Sequence, residues 1–140
     1  MAGQGNRTVP HTADLRVEAW APTREGCLAE AVRGLVGSFA VVADARPHRT
    51  AERHMTAGSA EDLLVAVVDE VIYWLDAEGE IPVSVAVRQA GDDGVDLVLS
   101  LADVGAVEII GAAPKAASLH DLRCAPDPAG QWWCSVTIDV

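Results

Sequence analysis

The sequence predicts an α+β fold in which two helices pack on one face of a mostly antiparallel β-sheet, forming a two-layer sandwich. Two long segments carry apolar residues at helical spacing, and the second half of the chain is a series of short alternating runs separated by turn residues. The 140 residues are the usual size of one compact domain. We therefore expect a single domain over residues 1–140, with 1–8 as a flexible lead.

The first predicted strand and the first predicted helix follow this lead. In residues 15–21 every second side chain is apolar, which is typical of a half-buried strand. Thr23 is a plausible N-cap for a helix that runs to about residue 41, with apolar residues every three or four positions. Gly34 and Gly37 weaken this helix, and close packing against the sheet is their expected role.

The second predicted helix begins after a polar connection. Residues 43–58 are rich in charge, Pro and His and predict a loop that leads into a short exposed strand at 53–57. Ser59 and Asp62 form a capping box, which opens a helix with a broad apolar stripe. Gly79 marks the end of this helix.

The remaining residues have the alternation of strands. The predicted strands are 81–89, 95–101, 107–110, 115–124 and 132–139. The last two should form a hairpin, because Pro128 and Gly130 occupy positions that a type I turn favours. This turn predicts three opposed pairs, namely Cys124 with Cys134, Leu122 with Val136, and His120 with Ile138. His120 would then lie on the apolar face, where we expect a hydrogen-bonded core histidine and a catalytic base is the alternative.

Charged residues fall on the opposite face of the same strands. In the last hairpin, Asp121 and Asp139 lie on this polar face, and Lys115 lies there too if its strand has no bulge. Asp14 lies on the polar face of the first strand. Asp14, Lys115 and Asp139 could therefore meet on one surface of one sheet. The alternative is that each is a separately solvated surface charge.

The composition narrows the classes of function. The formal charge is -11, and no Lys/Arg cluster of the kind that neutralises phosphates is present, so we expect no direct nucleic-acid binding and a protein partner instead. No segment resembles a secretory signal or a membrane span, and the three cysteines lack metal-knuckle spacing. A cytoplasmic location without membrane association is the expectation.

The sequence supports neither catalysis nor nucleotide binding. No nucleophile with a neighbouring base is visible, and the phosphate-binding loop GxxxxGK[ST] is absent. We therefore predict no catalytic residue and no nucleotide-cofactor site, and the chain is not expected to be an enzyme.

Four segments together resemble one protein family. The first is His11-Thr12-Ala13-Asp14, followed by an alternating strand, and the second runs from Leu63-Leu64 to the segment 73–79, YWLDAEG. The third is the segment 115–122, KAASLHDL, and the fourth is the terminal strand 136–140, VTIDV. In this order they resemble the archease family, although Ser118 and Leu119 stand where the family usually has Thr and an aromatic residue.

The resemblance implies an accessory protein rather than a catalyst. Archeases activate RtcB-type RNA ligases, which act in tRNA splicing and RNA repair, by promoting GTP-dependent guanylylation and turnover of the ligase. The family's divalent cation site carries over to Asp14, Asp139 and the terminal residue Val140. An all-oxygen set, completed by the α-carboxylate of Val140, suits Ca²⁺, Mg²⁺ or Mn²⁺ better than Zn²⁺, with Ca²⁺ as the first choice.

Further residues are candidates for the functional surface. Lys115 matches the family's functional lysine and could contact a phosphate or an acidic group on the ligase, or simply pair with Asp121 or Asp139. His11 could neighbour the metal or cap a turn. Trp133 is expected to face outward, where an exposed aromatic side chain could anchor a partner, with Trp132 in the core.

Two other classes of function remain open at this stage. A metal-dependent hydrolase could use Asp14 and Asp139 as ligands, and a general chaperone or modulator of nucleic-acid-processing enzymes would also fit an acidic domain without a catalytic motif. Phosphatase or nuclease activity of the purified protein would favour the hydrolase.

Overall fold

The computed structural model describes residues 3–11 and 14–140, with the side chains of Pro10 and His11 left out. It contains two α-helices and nine strands in these ranges. The strands are β1 Gly5–His11, β2 Asp14–Ala21, β3 Ala40–Val41, β4 Arg49–Thr56, β5 Glu80–Gln89, β6 Gly94–Asp103, β7 Glu108–Ile109, β8 Ala116–Pro126 and β9 Trp132–Asp139. The predicted α+β fold class is confirmed.

Both helices begin at the predicted caps. Helix α1 spans Arg24–Gly37, and the Thr23 hydroxyl accepts a hydrogen bond from the Gly26 amide at 3.0 Å. Helix α2 spans Ala60–Tyr73, and the Ser59 hydroxyl accepts one from the Asp62 amide at 3.1 Å. These hydroxyls satisfy amides that have no partner within the helix.

Helix α2 continues into a π-helical turn, Trp74–Glu78, which ends at Gly79. Gly79 has a φ of 66°, a left-handed conformation that glycine adopts without steric cost. The predicted end of the second helix is therefore confirmed. No helix in the described part of the chain is long and apolar enough to cross a membrane.

The strands are distributed over three antiparallel sheets. The largest has the order β1-β2-β9-β8, a second has the order β4-β6-β5, and β3 pairs with β7. Helix α1 contacts strands of both larger sheets, whereas the main strand neighbour of α2 is β8. Residues on nearly every side of α1 are therefore buried.

One apolar core connects the two larger sheets through the helices. The largest side chains that are fully buried include Val17 and Ile138 from the four-stranded sheet, Leu97 and Leu99 from the three-stranded sheet, and Leu28 from α1. Apolar burial of this extent is the main stabilising contribution in a domain of this size.

Several predicted boundaries are wrong. Residues 5–8, which we expected in a flexible lead, belong to β1, which pairs with β2 along its whole length. The first helix ends at Gly37 instead of residue 41, because residues 40–41 form β3. The short strand expected at 53–57 is the longer β4, which runs as the partner of β6.

Gly34 and Gly37, the two glycines of α1 with a predicted packing role, have different surroundings. A Cβ on Gly34 would lie 2.9 Å from Val17 Cγ1 and 3.1 Å from Asn6 Cβ, so this glycine allows α1 to approach the sheet. A Cβ on Gly37 would meet nothing within 4 Å. The predicted packing role is confirmed for Gly34 and wrong for Gly37.

Candidate functional site

The two predicted metal ligands lie next to each other across two strands. Asp14 is the first residue of β2 and Asp139 is the last residue of β9, and they are direct partners in the antiparallel pairing. Opposed residues point to the same face, with their Cβ atoms about 5 Å apart. The structure therefore brings Asp14 and Asp139 together, as their parity suggested.

Pairing two carboxylates in this way has an electrostatic consequence. Like charges directly opposite each other in a sheet destabilise it, unless a cation lies between them. Asp14 is half-buried, which reduces solvent screening of its charge, and Asp139 is exposed. A hard divalent cation, bound by oxygen atoms, is the kind of ligand that this arrangement would accept.

Val140 follows Asp139 at the end of the sequence. Its side chain is half-buried and packs against the apolar core, which anchors the last residue of the chain. No three His, Cys, Asp or Glu side chains among those described form a group suited to a metal ion. A three-ligand site here would therefore need a donor other than a His, Cys, Asp or Glu side chain beside the two aspartates.

Strand β8 contains a large irregularity next to this pair. Ser118 is opposite Thr137 and Arg123 is opposite Ser135, so four residues of β8, 119–122, face the single residue Val136 of β9. Asp121 in this segment has a φ of 56°, which only a few per cent of non-glycine residues adopt. We refer to residues 119–122 as the β8 bulge.

The β8 bulge inserts three extra residues, an odd number, into β8. Each β8 residue before the bulge therefore points to the opposite face of the sheet from the one that regular pairing would give. Cys124 lies opposite Cys134 as predicted, since this pair is on the turn side of the bulge. Ile138 is opposite Ala117 and not opposite His120, so that predicted pair is wrong. His120 is not a core residue either, because 86% of its side chain is exposed.

The bulge places new side chains beside Asp14. A cavity of about 230 Å³ is lined by Asp14, Arg16, Ser118, His120, Asp121 and Thr137. His120 Nε2 lies 3.2 Å from Asp121 Oδ2, and the His120 amide donates to the Ser118 hydroxyl at 3.2 Å. Asp121 was predicted for this surface, whereas Arg16, Ser118, His120 and Thr137 were not.

Lys115 lies in a different place from the one expected if β8 had no bulge. Ala116 is opposite Asp139, so Lys115 points to the other face of the sheet. It lines a second cavity of about 670 Å³ together with Val140, Ile72, Leu75, Asp76 and residues 112–114. The Lys115 amide donates to the Asp139 carbonyl at 2.8 Å, which leaves the backbone of Lys115 beside the aspartate pair but its side chain beside Val140.

The other predicted surface residues have separate positions. The backbone of His11 pairs with Asp14, but its side chain lies outside the described part of the structure. Trp133 faces outward, as predicted, with 46% of its surface exposed, and Trp132 packs against the core. Trp133 Nε1 donates to Asp127 Oδ2 at 3.2 Å, and the Trp133 ring lies 5.6 Å from that of Trp20.

Comparison with known proteins identifies the family. A model of the archease protein family (MTH1598/TM1083) matches residues 7–140, which is nearly the whole chain. The chain is 50% identical over 136 residues to a probable protein archease from Mycobacterium tuberculosis, covering 97% of this chain and 75% of that protein. The chain belongs to the archease family.

A solved structure supports the same fold. The solution structure of protein 1598 from Methanobacterium thermoautotrophicum matches this archease with a TM-score of 0.72, covering 97% of this chain and 99% of that one. The two sequences are 18% identical, so this likeness concerns the fold alone. The archease resemblance drawn from the four sequence segments is thus confirmed.

Proposed function

We propose that this archease is an accessory protein that activates an RtcB-type RNA ligase, by promoting the ligase's GTP-dependent guanylylation and its turnover. In this proposal Asp14, Asp139 and the carboxylate of Val140 hold a divalent cation, with Ca²⁺ as the first choice. The direct opposition of Asp14 and Asp139 is the observation that carries the metal site. Membership of the archease family carries the ligase partner.

The chemistry of the donors supports a hard cation. Carboxylate oxygens are the preferred ligands of Ca²⁺, Mg²⁺ and Mn²⁺, and three protein groups leave coordination positions for water or for a partner's phosphate. A cation bound there would supply positive charge to a ligand or partner group that reaches the rim of the sheet. The neighbouring Arg16 and His120 could contact the same group.

The charge distribution supports a protein partner over direct RNA binding. The chain carries 21 acidic and 10 basic residues, and several of the arginines are bonded to carboxylates within the fold. The paired arginines in the described residues include Arg7 with Glu18, Arg24 with Glu25, Arg33 with Glu30, Arg49 with Glu80, and Arg53 with Glu70. Few cations remain to neutralise phosphates, and an acidic surface attracts a basic protein.

Ligase guanylylation is the direct test of this function. The ligase of the same organism is incubated with GTP, with and without the archease, and the covalent guanylate on the ligase is measured together with the rate of RNA joining. The wild-type archease should raise both quantities at low stoichiometry, and Asp14→Asn and Asp139→Asn should each lose most of the stimulation. Asp44→Asn is the matched control, because it removes one exposed carboxylate from a turn residue that lines neither of the two cavities beside the aspartate pair.

An extension tests the contribution of Val140 separately. Two glycines added after Val140 move the terminal carboxylate away from the aspartates, and two glycines added before Met1 are the control. The C-terminal extension should weaken Ca²⁺ binding, measured by calorimetry, and reduce the stimulation of guanylylation. Unchanged binding with the C-terminal extension would exclude the terminal carboxylate as a ligand.

A further inference from the structure

The three cysteines of the chain form a buried cluster at the centre of the four-stranded sheet. Ala19, Cys134 and Cys124 are successive partners in a row across β2, β9 and β8. Cys27 of α1 lies over this row, because its thiol donates to the Ala19 carbonyl at 3.5 Å and its carbonyl accepts from the Cys134 thiol at 3.8 Å. All three thiols are therefore close together, although they come from three elements.

The pairing of β8 with β9 places Cys124 and Cys134 closer than an average cross-strand pair. The Asp127 amide donates to the Gln131 carbonyl at 2.8 Å, and hydrogen-bonded pairs alternate with pairs that are not hydrogen-bonded along an antiparallel ladder. Asp127 and Gln131 are a hydrogen-bonded pair, and Cys124 and Cys134 are the third pair after them along the ladder. By this alternation, Cys124 and Cys134 form no backbone hydrogen bonds with each other. In such pairs the Cα atoms are about 4.5 Å apart and the side chains are closest.

A second hydrogen bond supports this assignment. The Cys124 amide donates to Glu61 Oε2 of α2 at 3.0 Å, so it points away from β9 and does not bond the Cys134 carbonyl. Disulfides require Cα atoms about 4.4–6.8 Å apart, with Cβ atoms roughly 3.5–4.5 Å apart. The Cα separation typical of such a pair therefore falls within the range that disulfides require.

Cys27 completes the cluster as a hydrogen-bond acceptor. The Cys27 carbonyl accepts the hydrogen bond of the Cys134 thiol at 3.8 Å. This contact places Cys134, with its cross-strand partner Cys124, under the α1 backbone.

We propose that Cys124 and Cys134 are a site of reversible oxidation, at which a hydroperoxide converts the two opposed thiols into an intramolecular disulfide while Cys27 stays reduced. One sulfur attacks a peroxide oxygen and breaks the O–O bond, giving a sulfenic acid and one water or alcohol. The second thiol then attacks the sulfenic sulfur, forms the S–S bond and releases a water molecule. The two sulfurs lose two electrons and the peroxide gains them.

The product would alter the hairpin that carries part of the proposed metal site. A Cys124–Cys134 bond would fix β8 to β9 on the turn side of the β8 bulge, and Asp139 lies on the same strand beyond the bulge. Cross-linking a short loop reduces the conformational freedom of the unfolded chain. The oxidised protein should therefore unfold at a higher temperature than the reduced one, and a thiol reductant should reverse the shift.

Mapping the thiols after oxidation tests this assignment. The fully reduced chain is freed of reductant, treated with hydrogen peroxide while folded, alkylated, denatured and analysed by intact-mass and peptide mass spectrometry. We expect a loss of two hydrogens, a peptide pair joined through Cys124 and Cys134, and one alkylated cysteine, Cys27. A disulfide that involves Cys27, a disulfide between two chains, or three free thiols after treatment would overturn the proposal.

Single substitutions give a matched comparison. Cys27→Ser should form the cross-strand disulfide as fully as the wild type, whereas Cys124→Ser and Cys134→Ser should not form an intramolecular disulfide. The wild-type peptide map decides the matter even where a core serine impairs folding. Because the readout is a mass and not ligase stimulation, it stays informative if the proposed partner is wrong.

Discussion

Asp14 and Asp139 are direct cross-strand partners at the end of β2 and β9, so two carboxylates share one face at the rim of the four-stranded sheet. Like charges that oppose each other directly across two strands destabilise a sheet, typically by about 0.2–1 kcal/mol. We predict that Asp139→Asn raises the free energy of unfolding by this amount in the presence of a chelator. Urea denaturation of the wild type and the variant, both without divalent ions, measures the difference.

Added Ca²⁺ should make the wild type more stable than Asp139→Asn, the reverse of the order expected without the ion. A ligand present at a hundred times its Kd stabilises the folded state by about 2.7 kcal/mol, and only the wild type retains both carboxylates. The wild type should therefore gain stability with added Ca²⁺ while Asp139→Asn gains little. Asp44→Asn should respond to Ca²⁺ as the wild type does, and an equal response of all three proteins would refute a site at the aspartate pair.

Alanine substitutions at Gly34 and Gly37 of α1 should change stability in opposite directions. Gly34→Ala forces a methyl group against Val17 and Asn6 and should destabilise the protein by about 1–3 kcal/mol. Gly37→Ala adds its methyl group to open space at the last residue of the helix, and should stabilise the protein by up to about 1 kcal/mol. Thermal unfolding of the two variants under identical conditions measures both effects.

The sequence predicted those features that depend on local signals. The caps Thr23 and Ser59 follow from side-chain chemistry, and the pairing of Cys124 with Cys134 follows from the turn at Pro128 and Gly130. The Gly130 amide donates to the Asp127 carbonyl at 2.9 Å, which is the hydrogen bond of the predicted turn. The alternation of side chains along the first and last strands then sufficed to place Asp14 and Asp139 on one face of the sheet.

The features that the sequence did not predict depend on tertiary contacts. The β8 bulge contains neither Gly nor Pro, so no local signal marks the reversal of parity that separates Lys115 from Asp139. Strand β1 is an edge strand with Gly5 and Pro10, two residue types that are depleted in strands. A Cβ on Gly5 would lie 2.8 Å from the Trp20 ring, so the reason for this glycine becomes visible only in the packed structure.

The ion pair between Arg49 and Glu80 predicts a pH dependence of stability. Glu80 is buried, Arg49 Nε donates to its Oε2 at 2.9 Å, and His48 Nε2 lies 2.9 Å from the same oxygen. The hydrogen bond from Arg49 is the main cause that holds the pKa of Glu80 below its usual value, which is about 4.3. This pair therefore stabilises the fold above about pH 4.3 and loses that contribution as the pH falls through the lowered pKa.

Replacing the arginine should remove this dependence. Arg49→Met leaves the Glu80 carboxylate buried without its main partner, so the variant should be less stable than the wild type at neutral pH. The difference should shrink as the pH falls and Glu80 becomes protonated in both proteins. Urea midpoints measured between neutral and acidic pH provide the comparison, with Arg46→Met in an exposed loop as the control. A difference that stays constant with pH would contradict the role of Glu80.

Substitutions at Asp121 distinguish its backbone conformation, which is left-handed, from the charge of its side chain. A β-branched residue pays about 1–2 kcal/mol at such a φ, whereas Asn and Gly adopt it readily. Asp121→Val should therefore destabilise the protein by about 1–2 kcal/mol, and Asp121→Asn should stay within about 0.5 kcal/mol of the wild type. Urea denaturation tests these values. If the bulge carboxylate takes part in the proposed activation of an RNA ligase, Asp121→Asn and Asp121→Gly should both reduce guanylylation while the protein stays folded. Normal stimulation by both variants would leave Asp121 with a purely conformational role.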